Sequence, residues 1–294
     1  TDTAASPLAA SLKIDGLDLA GSGLNQHAPA LAGILSLTGD VRGDGTMAHI
    51  RGKIRAEKLR LARDGTPAAK PVEFDFAADH NLRRRAGRLS RGEIHIGAAP
   101  ASLTGTYAPA GDSYALDMNL DASSMAVDEL SAMLPAMNVV LPRGSSLKGG
   151  TASAKISVQG PLDRLVTAGT LALDNTTLAN FDMGRKLSFI AGLAGIRTSG
   201  DTAIQTLGAN VQYGPDGGKV DNLQLIVPSI GNLDGAGTVS PANDLAFQMR
   251  ATVKGLAVPF TVAGPATEPS FRPDVKGMAK DEVRGLLKGI LGGK

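Results

Sequence analysis

Histidine is the first place to look for acid–base or metal chemistry, and the chain has four: His27, His49, His80 and His95. None falls in an HExxH, HxH or paired-ligand spacing. His95, in Glu93-Ile94-His95-Ile96, is expected on the wet face of a strand as a solvated side chain. The sequence contains no Cys, which removes thiolate zinc sites, iron–sulfur clusters, disulfides and Cys nucleophiles. There is no GxSxG elbow and no P-loop. Gly235-Ala236-Gly237 lacks the further glycine of a dinucleotide fingerprint and leads into a strand. Asp15, Asp18, Asp128 and Glu129 do not have calcium-loop spacing. Ser and Asp are plentiful, but no base and orienting partner accompany them. The chain reads as non-enzymatic, with no cofactor and no metal.

Charge concentrates at one place. Arg83, Arg84, Arg85, Arg88 and Arg91 fall within nine positions, opposed by Glu93. One reading is contact with anionic lipid headgroups. The other is a solvated hairpin loop whose charges discourage edge-to-edge association. Nucleic acid is not an expected partner. The net charge is only +2, and seven Phe, three Tyr and no Trp leave few rings for base stacking.

The elements that must carry these residues are mostly strands. Ile156 and Val158 alternate with Lys155, Ser157 and Gln159. Leu245, Phe247, Met249, Ala251 and Val253 alternate with Ala246, Gln248, Arg250 and Thr252. The same period of two recurs at Val72-Phe74-Phe76, Leu116-Met118-Leu120, Leu171-Leu173 and Leu223-Leu225-Val227. Such alternation means strands with one apolar and one wet face, which favours antiparallel pairing. Asp44-Gly45, Asp64-Gly65, Gly111-Asp112 and Pro215-Asp216-Gly217-Gly218 supply the turns. The predicted fold is mainly β, a long curved antiparallel sheet of meandering hairpins with a few short helices. Helices are expected at 125–134, at 182–195 behind an Asp182 cap, and at 274–291. This divides the chain into a β module over 1–121, a helical connection over 122–150, a second β module over 151–273 and an amphipathic helix over 274–294. No run of about 18 apolar residues occurs, so no bilayer-spanning helix is expected. The N-terminus lacks an initiator Met and signal-peptide zones, and reads as the start of an excised piece.

A resemblance emerges in the C-terminal half. GPLDRLVTAGTLALDNTTLANFDMG (160–184) precedes a helical step, and LQLIVPSIGNLDGAGTVSPANDLAFQMRA (223–251) follows. The ordered set includes Phe181-Asp182-Met183-Gly184, Gly200-Asp201-Thr202, Val227-Pro228 and Gly237-Thr238-Val239-Ser240. With GEIHIGAAPASLTGTY (92–107) and the block at 125–150, it resembles the AsmA family of bacterial envelope proteins. Asn180 stands where that family often has glycine.

The resemblance implies a periplasmic protein, tethered to the inner membrane by an upstream anchor and similar to bridge-like lipid-transfer proteins. It implies that phospholipid or another envelope lipid lies along an apolar β-groove. The alternating residues that would line the groove are Ile156, Val158, Leu171, Leu173, Leu223, Leu225, Val227, Leu245, Phe247, Met249 and Val253. Arg83, Arg84, Arg85 and Arg88 would meet anionic headgroups. A charge at Phe247 or Met249 is then expected to abolish function with the fold intact. The alternative is a scaffold for outer-membrane protein assembly, using exposed strand edges to pair with client or assembly proteins.

Overall fold

The computed structural model describes residues 7–22, 30–190, 200–253 and 255–274. Residues 275–291 of the expected helix at 274–291, residues 191–195 of the one expected at 182–195, and His27 lie outside these residues. Strand makes up 67 % of the structure and helix 6 %, so the protein is mainly β.

In chain order the strands are β1 (Leu8–Asp18), β2 (Ala32–Gly43), β3 (Met47–Arg60), β4 (Val72–Asn81), β5 (Ala86–Ile96), β6 (Ala99–Ala110) and β7 (Ser113–Ala126). After a helical turn α1 (Val127–Leu130) and a 3-10 turn at Pro135–Met137 come β8 (Ser146–Lys148), β9 (Thr151–Pro161) and β10 (Val166–Ala179). The helical turn α2 (Met183–Lys186) leads to β11 (Thr202–Gly214), β12 (Gly217–Val227), β13 (Gly231–Val239), β14 (Asp244–Val253), β15 (Leu256–Pro265) and β16 (Ser270–Pro273). The strands form an open antiparallel sheet that does not close on itself. Each pairs with its chain neighbour along the path from β1 to β16, except that β8 leaves the path to pair with β10.

The tight turns follow their local chemistry. At the β2–β3 turn the Asp44 carboxylate accepts the backbone N–H groups of Thr46 and Met47, both at 2.8 Å, and Gly45 takes φ +84°. Gly111 sits at φ +63° in the β6–β7 turn, where Ala110 faces Ser113. The expected turn at Pro215–Gly218 joins β11 to β12.

The chain divides into two compact units. The first comprises Thr1–Val139 with Ala154–Ala168, and the second Val140–Ser153 with Gly169–Lys294.

In the first unit, cross-strand rows build the apolar face. One row is Leu35, Ala56, Val72, Ile96 and Ala99; the next is Leu37, Ile54, Phe74, Ile94 and Ala101. The opposite face carries paired charges. Lys53 meets Glu73 and Asp75 at 3.4 Å, Arg55 meets Glu73 at 2.9 Å, and His49 Nδ1 lies 2.5 Å from Asp79. These exposed pairs keep the face soluble and contribute little stability. The segment after β7 folds over the row that contains Val72 and Ile96. Met125, Met133 and Ala136 are buried there. The Ala136 carbonyl accepts N–H groups from Leu61 and Ala62, and Lys70 bridges to Glu129 at 2.6 Å.

The expected helix at 125–134 is therefore much shorter than its pattern. β7 pairing holds the backbone extended through Ala126, and only Val127–Leu130 close a turn. Pro135 does not simply end it but begins the 3-10 turn, where its missing N–H costs nothing.

In the second unit α2 plays the covering role. Asp182 caps it as expected, accepting the Arg185 N–H at 2.8 Å. Leu187 and Ile190 behind it are fully buried, packed with Phe181, Phe189, Val227, Leu233, Val258 and Phe260. Buried Thr202 ties the approach to the helix. Its hydroxyl accepts the Met183 N–H at 3.0 Å and donates to the Phe181 carbonyl at 2.5 Å, satisfying two backbone groups that water cannot reach.

Candidate apolar binding face

In the second unit, burial along the apolar face falls off with distance from the covering segment. The row Leu225, Leu233, Ala251 and Val258 is closed: all four are buried, two of them at 0–1 % exposure. The next row, Leu223, Gly235, Met249 and Phe260, is half closed. Beyond it lie Gly237, Phe247, Val262 and Phe271, then Val239, Leu245 and Gly264. Every large side chain in these last two rows is only partly buried. A closed core thus passes within one sheet into rows of apolar side chains that are only partly buried.

The structure sorts the sequence-derived candidates along this gradient. Leu225, Val227, Met249 and Val253 are buried core. Leu223, Leu245 and Phe247 occupy the partly open rows. Leu173 is half-buried on β10, and Leu171 is 40 % exposed there. Ile156 and Val158 are half-buried on β9, which belongs mainly to the first unit. The expectation that a charge at Met249 leaves the fold intact does not survive this placement, because that side chain is 8 % exposed inside the core cluster. Phe247 and Leu245 are only partly buried, so a charge there stays closer to water than one at Met249.

The first unit's face is partly open in its middle rows and buried toward both ends, where Ala48, Ala78 and Leu89 are closed again. Val72, Ile96 and Ala99 are buried, whereas Ile54, Phe74, Phe76, Leu103, Met118 and Leu120 are partly open.

A second device shapes both faces. Large side chains lie flat over glycines on the neighbouring strand. A Cβ on Gly52 would sit 3.0 Å from the Phe76 ring, and one on Gly92 would sit 2.8 Å from Phe74. Met118 covers Gly105, Met249 covers Gly235 and Phe247 covers Gly237, each too closely for any Cβ. With the bulk laid along the sheet, the face keeps a low floor and remains apolar. Sequence alternation placed these glycines in register with the hydrophobes but gave no sign of the cross-strand pairing.

One polar cluster interrupts the first unit's face. His80, Gly87 and Tyr107 stand side by side on β4, β5 and β6. The Tyr107 ring lies over Gly87, leaving no room for a Cβ, and reaches His80. Tyr107 Oη and His80 Nδ1 are 2.9 Å apart, with the rings stacked at 5.7 Å between centroids. Tyr114 meets Tyr107 edge-on at 6.1 Å. Sequence reasoning passed over His80. Its parity with Phe74 and Phe76 was the available signal.

Burial raises the Tyr107 hydroxyl above the ordinary tyrosine range, and Tyr114 adds to the effect. The folded state therefore holds this proton more tightly than the unfolded chain does. The preference costs nothing below the ordinary range, and stability falls as pH rises through and past it. Urea unfolding from about pH 8 to about pH 11 should show this loss. Tyr107→Phe should reduce the slope, and an unchanged slope would refute the assignment.

The arginines divide by position. Arg83, Arg84 and Arg85 form the exposed β4–β5 turn, where Arg84 N–H donates to Asn81 Oδ1 at 2.8 Å. Arg88 lies on β5 opposite Asp79, on the wet face. His95 is also on the wet side, opposite Glu73, though half-buried. Among the described residues no group of three or more His, Asp or Glu side chains could hold a metal ion, and no helix is long and apolar enough to cross a membrane.

The class these features define is an open antiparallel β-sheet protein with a partly open apolar face in each unit. No family model, curated protein or solved structure matches the chain.

Proposed function

We propose that the protein is a non-enzymatic lipid-handling module that holds acyl chains along the apolar face of its open sheet. The observation that carries this reading is the graded face. Leu223, Leu245 and Phe247 continue a buried core outward as surface that remains apolar. Soluble proteins rarely leave large contiguous apolar patches without a use for them. Each methylene moved from water to such a face contributes about 0.8 kcal/mol, so a two-chain lipid can be held without a directional site. The headgroup stays in water.

The resemblance to the AsmA family supports the same reading. It would place the module in the periplasm, tethered to the inner membrane, and conducting lipid between inner and outer membranes. Native mass spectrometry of the purified chain, followed by lipid extraction, tests the proposal. Bound phospholipid or another envelope lipid is the expected result. A chain that carries no lipid and takes none from fluorescently labelled vesicles overturns it.

A second reading has its own observation. β1 is an eleven-residue edge strand with Leu8 54 % and Leu12 48 % exposed. Its first half, Leu8–Leu12, has no Pro or charge and could template an added strand, whereas Lys13, Asp15 and the register shift after Ile14 protect the rest. This supports a scaffold that pairs with outer-membrane assembly partners or their clients. On this reading, proline in β1 would abolish activity while lipid uptake continued.

A further inference from the structure

The β4–β5 end of the first unit has an ordered change of chemistry along one face. On β4, Phe74 and Phe76 are followed on the same side by Ala78 and then His80. His80 meets Tyr107, with Tyr114 alongside. Immediately beyond comes the turn with Leu82, 45 % exposed, and then Arg83, Arg84 and Arg85. From Phe74 to Leu82 is roughly 27 Å at about 3.4 Å per residue. Apolar rings, hydroxyl and imidazole groups, and finally cations thus succeed one another in a single direction. Tyr and His have an apolar body and a polar tip, which suits them to the boundary between a hydrocarbon and a wet layer.

The arginines are unspent. Among the described residues no ion pair engages the guanidinium of Arg83, Arg84 or Arg85, whereas Lys53, Arg55 and Arg91 on the neighbouring strands each meet a carboxylate. Asp79, the nearest acid on β4, is held by His49. The turn is therefore a compact cationic tip on an otherwise balanced surface.

Resting on the lipid-handling reading, we propose that this end selects and orients anionic amphiphiles. The phosphate would sit on the Arg83–Arg85 turn, the polar linkage beside His80 and Tyr107, and the chain along Phe76 and Phe74. A neutral zwitterionic lipid gains the apolar contacts but not the net charge attraction. Cationic side chains near an anionic lipid surface act additively, so three together are worth about ten-fold or more in binding.

The test uses the whole chain with vesicles of phosphatidylcholine containing a minor fraction of phosphatidylglycerol. A fluorescent acyl label is carried on one lipid or the other. The native chain should extract labelled phosphatidylglycerol at least about ten-fold better than labelled phosphatidylcholine. Arg83→Ser, Arg84→Ser and Arg85→Ser combined should erase that preference, leaving the thermal midpoint unchanged. Salt should reduce the preference. Inorganic phosphate at millimolar concentration distinguishes the source of the anion: competition that abolishes the preference would mean a free-phosphate site and overturn the headgroup assignment. Equal extraction of both lipids by the native chain, or an unaltered preference in the triple variant, overturns the orientation alone. Extraction of neither lipid overturns the lipid-handling reading with it.

Discussion

Replacing Phe260 with alanine should cost about 3–5 kcal/mol of unfolding free energy, the range for deleting a fully buried aromatic side chain. Phe260 is 1 % exposed and stands beside Met249 in the cross-strand register. Its ring meets Phe189 at 6.3 Å and Phe271 at 6.4 Å. The substitution removes the side chain that joins the segment after α2 to β14, β15 and β16, and the fully buried Leu187 and Ile190 leave little freedom to collapse into the gap. The lost ring contacts add to the lost area. Urea denaturation measures the cost. A change below about 1 kcal/mol would mean that the covering segment does not hold the core as described.

The second large effect should fall on binding and spare the fold. Leu245→Asp puts a carboxylate in the outermost partly open row, beside Val239 and Gly264. Its neighbours already admit water, so the charge stays hydrated and the fold should lose no more than about 1 kcal/mol. An acyl chain laid over the same position would have to strip that water. Lipid uptake should fall at least about ten-fold, which corresponds to about 1.4 kcal/mol. Met249→Asp is the contrasting variant. It places a charge inside the core, where desolvation makes it a lesion of the fold. Unchanged uptake in folded Leu245→Asp would remove that row from the binding face.

Much of the architecture was legible in the amino-acid pattern, because a period of two survives any tertiary context that keeps one face wet. Leu245 through Val253 and Val72 through Phe76 are read correctly as strands for that reason. The Asp44-Gly45, Gly111-Asp112 and Pro215–Gly218 turns follow from backbone chemistry confined to four residues. Asp64-Gly65 has the same local signal but joins no tight hairpin. It makes its tight turn, with the Gly65 N–H donating to the Ala62 carbonyl at 3.0 Å, inside a longer connection whose backbone is tied to Pro135 and Ala136.

The helix expected at 125–134 is cut to one turn for a related reason. Met125 and Met133 have apolar spacing suited to a helix, yet they pack onto the Val72–Ile96 row from the end of β7 and from the turn after α1. The gradient of burial was beyond alternation altogether. Leu245 and Val253 are equivalent in sequence pattern and differ only because α2 and its flanks cover one end of β14. The polar cluster was hidden similarly, since His80 and Tyr107 are 27 residues apart and meet only through the β5 glycine between them.

The strand order has an evolutionary corollary. Except for β8, hydrogen-bonded neighbours are chain neighbours. Adding or deleting a hairpin therefore need not rethread any other connection, and most pairings close short loops at small entropic cost; the β7–β9 and β10–β11 connections are the longest. Such a sheet can vary in span by duplication of one genetic segment while every surviving strand keeps its partner. Span becomes a property that selection can adjust almost independently of stability.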